Sequence, residues 1–306
     1  MRKRVFITGI SGMVGSHLAE YLLKKNYVVF ALCRWNTKLN NIFHLNTFVK
    51  QKKLNLIYGD LLDESSILKA LKISKPKYIF HLAAHSYPTT SFISPKECME
   101  TNIIGTLNLL EAARNFAKES PFVYLSTNKV YGDNPNRLEI VDTETRWEYS
   151  KPLFQSGIDE LMSIDHCTHS LFGVSKTSAD LLVQEYGKYF SMPTVCLRGG
   201  CLTGEGHKGI ELHGFLSYLT KVNVTNGHYK IFGYKGKQVR DNIHSWDVAN
   251  FIWHFLEAPR VGEVYNLGGG YENSCSILEA INLIEVVSKP SFDKSVKSLS
   301  TVIDNT

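Results

Sequence analysis

No run in this sequence approaches the roughly 20 consecutive apolar residues that a membrane-spanning helix needs, so no membrane partner is expected. Charge of one dominant sign is missing too, with 34 Lys and Arg against 29 Asp and Glu, a formal +5. Nucleic-acid binders concentrate basic residues far more heavily, so no nucleic-acid partner is implied, whereas a small anion such as a diphosphate stays compatible. Cysteine is sparse. The six present (Cys33, Cys98, Cys167, Cys196, Cys201, Cys275) form no C-x-x-C or C-x-x-H pattern. They read as free thiols in a reducing compartment, and no metal site is expected. Internal repeats and low-complexity tracts are lacking. Only Val5, Phe6, Ile7 and Thr8 separate the basic start from Gly9, too few for the apolar core of a signal peptide, and the expectation is a cytoplasmic protein.

What is present is an ordinary globular composition, 43% apolar and 21% charged over 306 residues, enough for one large domain or two interleaved ones. Up to about residue 130, short apolar runs alternate with longer helical patterns. Strands are predicted at 4–8, 28–33, 54–58, 78–82 and 122–126. Helices are predicted at 13–25 and 94–116, the second with Ile103, Leu107, Leu110 and Ala113 on one face. Strands separated by helices imply right-handed crossovers and an α/β fold with a Rossmann-type, doubly wound parallel sheet. Further on, a helix is expected at 175–190, strands at 194–198 and 263–267, and a short helix at 211–220 within a glycine-rich, polar stretch. The division expected is a dinucleotide-binding domain over 1–198, with 241–270 returning to it. A smaller substrate lobe then takes 199–240 and 271–306. From Lys289 the chain is Ser- and Lys-rich, a frayed tail or an incomplete end of that lobe.

Thr8-Gly9-Ile10-Ser11-Gly12-Met13-Val14-Gly15 leaves the first strand and opens a helix. Gly9 suits a tight turn, Gly12 a close backbone approach to a pyrophosphate and Gly15 close helix–sheet packing. Phosphates would sit on the N–H groups of the helix N-terminus, around Ser11, Met13 and Val14. An acidic residue usually ends the second strand of an NAD site and holds the ribose 2′-hydroxyl. Here Cys33-Arg34 stands at that point, and a cation without a carboxylate tilts the choice from NAD towards NADP. Arg34 as a solvated loop charge is the alternative. Asp60 and Leu61, after the third strand, could bracket the adenine, or Asp60 could cap the next helix.

Seven motifs in order carry a resemblance over most of the chain. They are T-G-x-x-G-x-x-G from Thr8, H-L-A-A at 81–84, T-N-x-x-G-T at 101–106, V-Y-G at 130–132, G-V-S-K at 173–176, R-D-N-I-H at 240–244 and Y-N-L-G-G at 265–269. Together they resemble the extended short-chain dehydrogenase/reductase (NAD-dependent epimerase/dehydratase) family, whose members epimerise, dehydrate or reduce nucleotide sugars. The stretch 169–240, with H-S-L-F-G-V-S-K, R-G-G-C-L-T-G and E-L-H-G-F-L, looks like the CDP-paratose 2-epimerase (CDP-tyvelose epimerase) branch. The N-terminal C-R-W and H-L-A-A-H-S-Y-P look more like GDP-mannose 4,6-dehydratases. The resemblance implies cofactor contacts from Leu82, Ala83, Ala84, Asn102 and Lys176, a nucleotide-diphosphate sugar as partner, and a homodimer as one assembly.

In this family a Ser or Thr, a Tyr and a Lys act together. The tyrosine takes a hydroxyl proton while hydride passes to nicotinamide, and the Ser or Thr hydrogen-bonds the reacting oxygen. The resemblance carries these roles onto Thr127 and Lys176, but Phe172 occupies the tyrosine position, and phenylalanine exchanges no proton. His169, Tyr87, Tyr131 and Lys176 itself are the substitutes to weigh against a protein that binds ligand without turnover. Family dehydratases place an acid directly after the Ser or Thr. Here Asn128 and Lys129 follow Thr127, which disfavours elimination.

Substrate contacts are expected from Thr127 and Asn128, and from Lys237 and Arg240, which cluster with Lys235 beside Phe232 and Tyr234. Arginine suits bidentate diphosphate binding, and the lysines could equally be a solvated face. Arg198 and His213 are further candidates, whereas His81 and His244 read as core or loop hydrogen-bonders. The expected activity is nucleotide-sugar epimerisation by transient hydride transfer, with C2 of a CDP-linked deoxyhexose as its specific form. The alternatives are a non-catalytic NAD(P)-binding protein and a 4,6-dehydratase or reductase.

Overall fold

The computed structural model describes residues 3–85, 88–211 and 213–288. Its strands are β1 Arg4–Thr8, β2 Val28–Cys33, β3 Leu54–Tyr58, β4 Tyr78–His81, β5 Phe122–Thr127, β6 Ile140–Asp142, β7 Trp147–Tyr149, β8 Thr194–Gly199, β9 Cys201–Thr203, β10 Val239–His244, β11 Glu263–Leu267 and β12 Ser274–Ser276. Its helices are α1 Met13–Lys24, α2 Asn46–Lys50, α3 Glu64–Ser74, α4 Pro88–Ile93, α5 Pro95–Met99, α6 Gly105–Phe116, α7 Leu171–Phe190, α8 Phe215–Val224, α9 Ser245–Glu257 and α10 Ile277–Ser288.

Two compact units emerge. The first comprises residues 1–133, 163–199 and 245–267. It holds a seven-stranded sheet in the order β11-β8-β5-β4-β1-β2-β3, every pairing parallel. This is the Rossmann-type doubly wound architecture. Runs such as Val5-Phe6-Ile7 and Ile79-Phe80 are buried without alternation because helices cover both sheet faces. One side of the core packs Phe6, Ile79, Phe122 and Tyr124 of the strands against Leu109, Leu110 and Val183 of α6 and α7. Each fully buried side chain of this kind contributes about 1.5–3 kcal/mol. Strand order reverses between β1 and β4, which opens a crevice at their C-terminal ends, the usual place for a ligand in such sheets.

Three helices depart most from the sequence pattern. The helix expected at 94–116 is α5, a π-helical turn Glu100–Ile104 and α6. Widening one turn puts Asn102 into side-chain contacts described below, and π-bulges commonly mark functional sites. Helix α7 starts at Leu171, because the Ser170 hydroxyl accepts the Gly173 N–H at 3.0 Å and caps it. Helix α8 starts after Gly214, whose φ of +71° admits few other residues, and not at residue 211.

The second unit, taken over the described residues, lies within 134–162, 200–244 and 268–306. It contains the β6–β7 hairpin and a β12-β10-β9 sheet, with β10 parallel to β9 and antiparallel to β12. Residues 134–162, placed by the sequence division in the dinucleotide half, cluster here. The reason is local bonding: Arg146 Nη2 donates to Ser274 Oγ at 2.6 Å and the Trp147 N–H donates to the Lys237 carbonyl at 3.1 Å. Two of the sequence motifs also meet in this unit. A Cβ on Gly268 would stand 1.8 Å from Asp241 Oδ2, and one on Gly269 would stand 2.0 Å from the Asn242 carbonyl oxygen. R-D-N therefore passes against G-G with room for hydrogen alone.

All six cysteines are free thiols, with Cys33, Cys98 and Cys196 buried. Among the described residues, no helix is long and apolar enough to cross a membrane, and no group of three or more His, Cys, Asp or Glu could hold a metal ion.

Candidate functional site

At the β1–α1 turn, Gly9 has φ +80°, and a Cβ there would lie 2.6 Å from the Ala83 nitrogen. One on Gly15 would lie 2.2 Å from the Gly9 carbonyl oxygen. Both positions demand glycine. Gly12 is less tightly confined, a Cβ there lying 3.3 Å from the same oxygen, a contact that the backbone would have to ease by a few tenths of an ångström. Gly12 is also the N-cap of α1, with no side-chain cap and no acid in the first turn. The first N–H groups are thus left for an anion, which fits a dinucleotide pyrophosphate.

Where β2 and β3 end, Cys33 is buried and its thiol pushed up to about 11 by that burial. Arg34 is exposed, and the next residue, Trp35, stacks on Tyr58 with centroids 4.4 Å apart and planes 9° from parallel. Asp60 does not cap α3; Asp63 does, accepting the Ser65 N–H at 3.0 Å. The Asp60 carboxylate accepts the Leu62 N–H at 2.9 Å, and its backbone N–H and carbonyl both bind the Ser66 hydroxyl at 3.0 Å.

β4 delivers the loop Leu82-Ala83-Ala84-His85. The Leu82 N–H donates to the Thr8 carbonyl at 3.1 Å and the Ala83 N–H to the Thr8 hydroxyl at 3.3 Å. His81 bridges Thr8 Oγ1 at 2.7 Å and Thr106 Oγ1 at 2.9 Å. Burial, with Lys176 nearby, lowers its pKa to about 3, so it is neutral and structural. Asn102, expected from the resemblance to touch cofactor, is instead 2% exposed and spends its amide inside the protein. Its Oδ1 accepts the His85 N–H at 2.8 Å, and its Nδ2 donates to the His85 carbonyl at 3.2 Å and to Ser175 Oγ at 2.9 Å. The His85 ring faces Glu97, Nε2 to Oε1 at 3.3 Å. Sequence reasoning missed this pair, because twelve residues and a helix break separate its members.

Thr127 ends β5 half-exposed, accepting the Lys129 N–H at 3.3 Å, with its hydroxyl 3.4 Å from Asn128 Oδ1. Lys176 lies on α7 one turn after Phe172. Its Nζ donates to the Leu125 carbonyl at 2.8 Å and sits 4.1 Å above the centre of the Tyr124 ring. Burial lowers its pKa to about 7, against the pull of Asp180, Cys196 and Cys98. Phe172 is half-buried, and its carbonyl accepts the Ser175 hydroxyl at 2.8 Å.

The substitutes for the missing tyrosine fare unequally. Tyr131 is 1% exposed, donating to Asn266 Oδ1 at 2.6 Å and accepting Arg198 Nη1 at 3.0 Å, so it is a structural anchor. His169 has Nδ1 3.1 Å from the Lys129 carbonyl and Nε2 3.0 Å from the Ile164 carbonyl, so both nitrogens point at acceptors. Tyr87 lies outside the described residues.

Arg198 is no substrate anchor: it is 5% exposed and ion-paired to Asp180. In the second unit, Lys237 Nζ is committed to Asp142 Oδ1 and to the Thr143 carbonyl, both at 2.6 Å, so it fastens the β6–β7 hairpin. Arg240 is exposed on β10, bonded to the Val239 carbonyl at 2.8 Å, and retains most of its donors for a ligand. His213 bridges to Ile210 and lies edge-on to His207, centroids 6.1 Å apart.

The model of the NAD dependent epimerase/dehydratase family matches residues 5–268. The chain belongs to that family. It is 32% identical to CDP-paratose 2-epimerase of Salmonella typhi over 291 residues, covering 92% of this chain and 83% of that protein. It is 27% identical to the dTDP-glucose 4,6-dehydratase of Salmonella typhimurium strain LT2, covering 91% of this chain and 77% of that one. The crystal structure of Thermus thermophilus UDP-glucose 4-epimerase in complex with NAD shares the fold. Its TM-score is 0.73 at 24% identity, covering 93% of this chain and 82% of its own.

Proposed function

We propose that this protein is a nucleotide-sugar epimerase that oxidises a ring hydroxyl transiently and reduces the ketone from its other face. The observation that carries this reading is the end of β5, where Thr127 is followed by Asn128 and Lys129. An amide and an ammonium offer no carboxylic acid/base for eliminating water, whereas epimerisation needs only a proton acceptor and a hydride acceptor. The likeness to CDP-paratose 2-epimerase favours C2 of a CDP-linked deoxyhexose as the reacting carbon.

Gly9, Ser11, Gly12, Met13, Val14 and Gly15 would hold the pyrophosphate, as the hydrogen-only space at Gly9 and Gly15 and the uncapped α1 support. Arg34 would meet the adenosine ribose, with Asp60 and Leu61 at the adenine and Leu82, Ala83 and Ala84 beneath the dinucleotide. Bound NAD or NADP supplies the reversible hydride acceptor; exposed Arg34, with no acid ending β2, favours NADP. Thr127 would hydrogen-bond the reacting oxygen, Lys176 would set the charge nearby, and Arg240 would bind the diphosphate.

The test is NMR of CDP-, UDP-, GDP- and dTDP-hexoses incubated with purified protein. A 2- or 4-epimer without net cofactor consumption is expected. A 4-keto-6-deoxy product would establish dehydration, and no conversion of any sugar would leave a non-catalytic dinucleotide-binding protein, the reading that Phe172 favours.

A further inference from the structure

Resting on the epimerase reading, we infer that His85 is the proton carrier that replaces the tyrosine lost at Phe172, with Glu97 as its positioning residue.

His85 follows β4 past its last paired residue, His81, which is opposite Tyr124 of β5, and Thr127 ends β5, so both residues lie at the C-terminal ends of adjacent parallel strands. Backbone bonding fixes the loop there. Asn102 grips both the N–H and the carbonyl of His85, and the same amide donates to Ser175 Oγ, which in turn donates to the Phe172 carbonyl. Two side chains thus connect His85 to the turn of α7 that carries the vacated tyrosine position. The π-helical turn is what brings Asn102 inward to do this.

The ring carries a carboxylate partner on one nitrogen. Nε2 faces Glu97 Oε1 at 3.3 Å, and a carboxylate there favours the Nε2–H tautomer, leaving the lone pair on Nδ1. Among the described residues, Glu97 of α5 is the charged group against the ring; Asn102, the other side chain gripping residue 85, is neutral, and Lys176 of α7 is turned to the Leu125 carbonyl. The other described candidates are engaged elsewhere. Tyr131 is locked between Arg198 and Asn266, His169 points both nitrogens at carbonyls, and Lys176 is buried on Leu125.

In the proposed step Nδ1 takes the proton of the sugar hydroxyl. The O–H bond breaks and an N–H bond forms. The oxygen pair becomes the carbonyl bond while the C–H pair leaves as hydride to the nicotinamide dinucleotide. Return of hydride to the other face of the ketone, and of the proton to oxygen, closes the cycle with His85 regenerated.

Wild type, His85→Gln and Glu97→Gln should be compared by sugar-conversion NMR, calorimetric dinucleotide binding and spectra of ¹⁵N-histidine-labelled protein. Because Asn102 holds only backbone atoms of residue 85, the glutamine variant keeps the loop. The expected result is a kcat about 10²–10⁴-fold lower in His85→Gln, with KM and dinucleotide affinity unchanged. The wild-type imidazole signal missing from His85→Gln should report the Nε2–H tautomer, and Glu97→Gln should mix the tautomers and lower kcat less. Wild-type turnover with an equally active His85→Gln overturns this inference alone, as does an Nδ1–H tautomer in the wild type. A wild type that converts no sugar overturns it together with the epimerase reading. Should His85→Gln fail to bind dinucleotide, Glu97→Gln decides: altered tautomer and kcat support the pair, and unchanged values overturn it.

Discussion

Asp180 and Arg198 form a buried ion pair, Oδ1 to Nη2 at 2.9 Å, between α7 and β8. The carboxylate also accepts Ser126 Oγ at 2.5 Å and Gln184 Nε2 at 2.7 Å, while the guanidinium donates to Tyr131 at 3.0 Å. This network fastens the end of β5 and the V-Y-G turn, on either side of Thr127. Removing one partner strands a buried charge, so Arg198→Met should cost about 3–5 kcal/mol of unfolding free energy in urea titrations. Arg198→Met with Asp180→Leu should recover part of it. A loss confined to KM, with stability intact, would return Arg198 to the role of substrate anchor.

Gly15→Ala should abolish calorimetric dinucleotide binding or unfold the turn, since its Cβ would stand 2.2 Å from a carbonyl oxygen. Gly12→Ala, whose Cβ would stand 3.3 Å from the same backbone oxygen, should cost less stability than Gly15→Ala and weaken the pyrophosphate contact. Arg34→Ala should weaken NADP binding by about tenfold, close to 1.4 kcal/mol, and leave NAD nearly unchanged. Equal effects on both would show that Arg34 reads no 2′-phosphate.

His81 sets an acid limit on stability. Its folded pKa of about 3 lies below the ordinary 6.5, so the unfolded chain takes up a proton first as pH falls. Its contribution is therefore intact above about pH 6.5 and lost progressively towards pH 3. Melting temperatures across that window should fall less steeply for His81→Asn than for wild type.

Lys176 behaves likewise at the alkaline end. Its folded pKa of about 7 lies below 10.5, so between these values the unfolded chain holds more protons and stability rises with pH. Denaturant midpoints should climb from pH 7 to 10 in wild type relative to Lys176→Met.

Lys237 and Arg240 should separate cleanly. Lys237→Ala should lower the melting temperature by freeing the β6–β7 hairpin, with KM for the nucleotide sugar little changed. Arg240→Ala should leave the fold intact and raise KM by about 10–100-fold, the worth of a charged hydrogen bond of about 1.5–3 kcal/mol.

The sequence by itself determined the strands of the parallel sheet, because buried strands are written as short unbroken apolar runs, and β1, β2, β3 and β11 lie at the expected bounds. It determined the β1–α1 turn too, since a Cβ at Gly9 or Gly15 would strike backbone atoms and glycine alone avoids that. Tertiary structure alone decided which polar residues are spent on the scaffold. Arg198, Asn102 and Lys237 carry the same functional groups as ligand-binding residues, and local sequence does not record that Asp180, His85 and Asp142 take up those groups. It also decided the His85–Glu97 pairing, because a contact between the end of a strand and a later helix depends on the crossover and the widened turn at Asn102, neither of which has a periodicity to read.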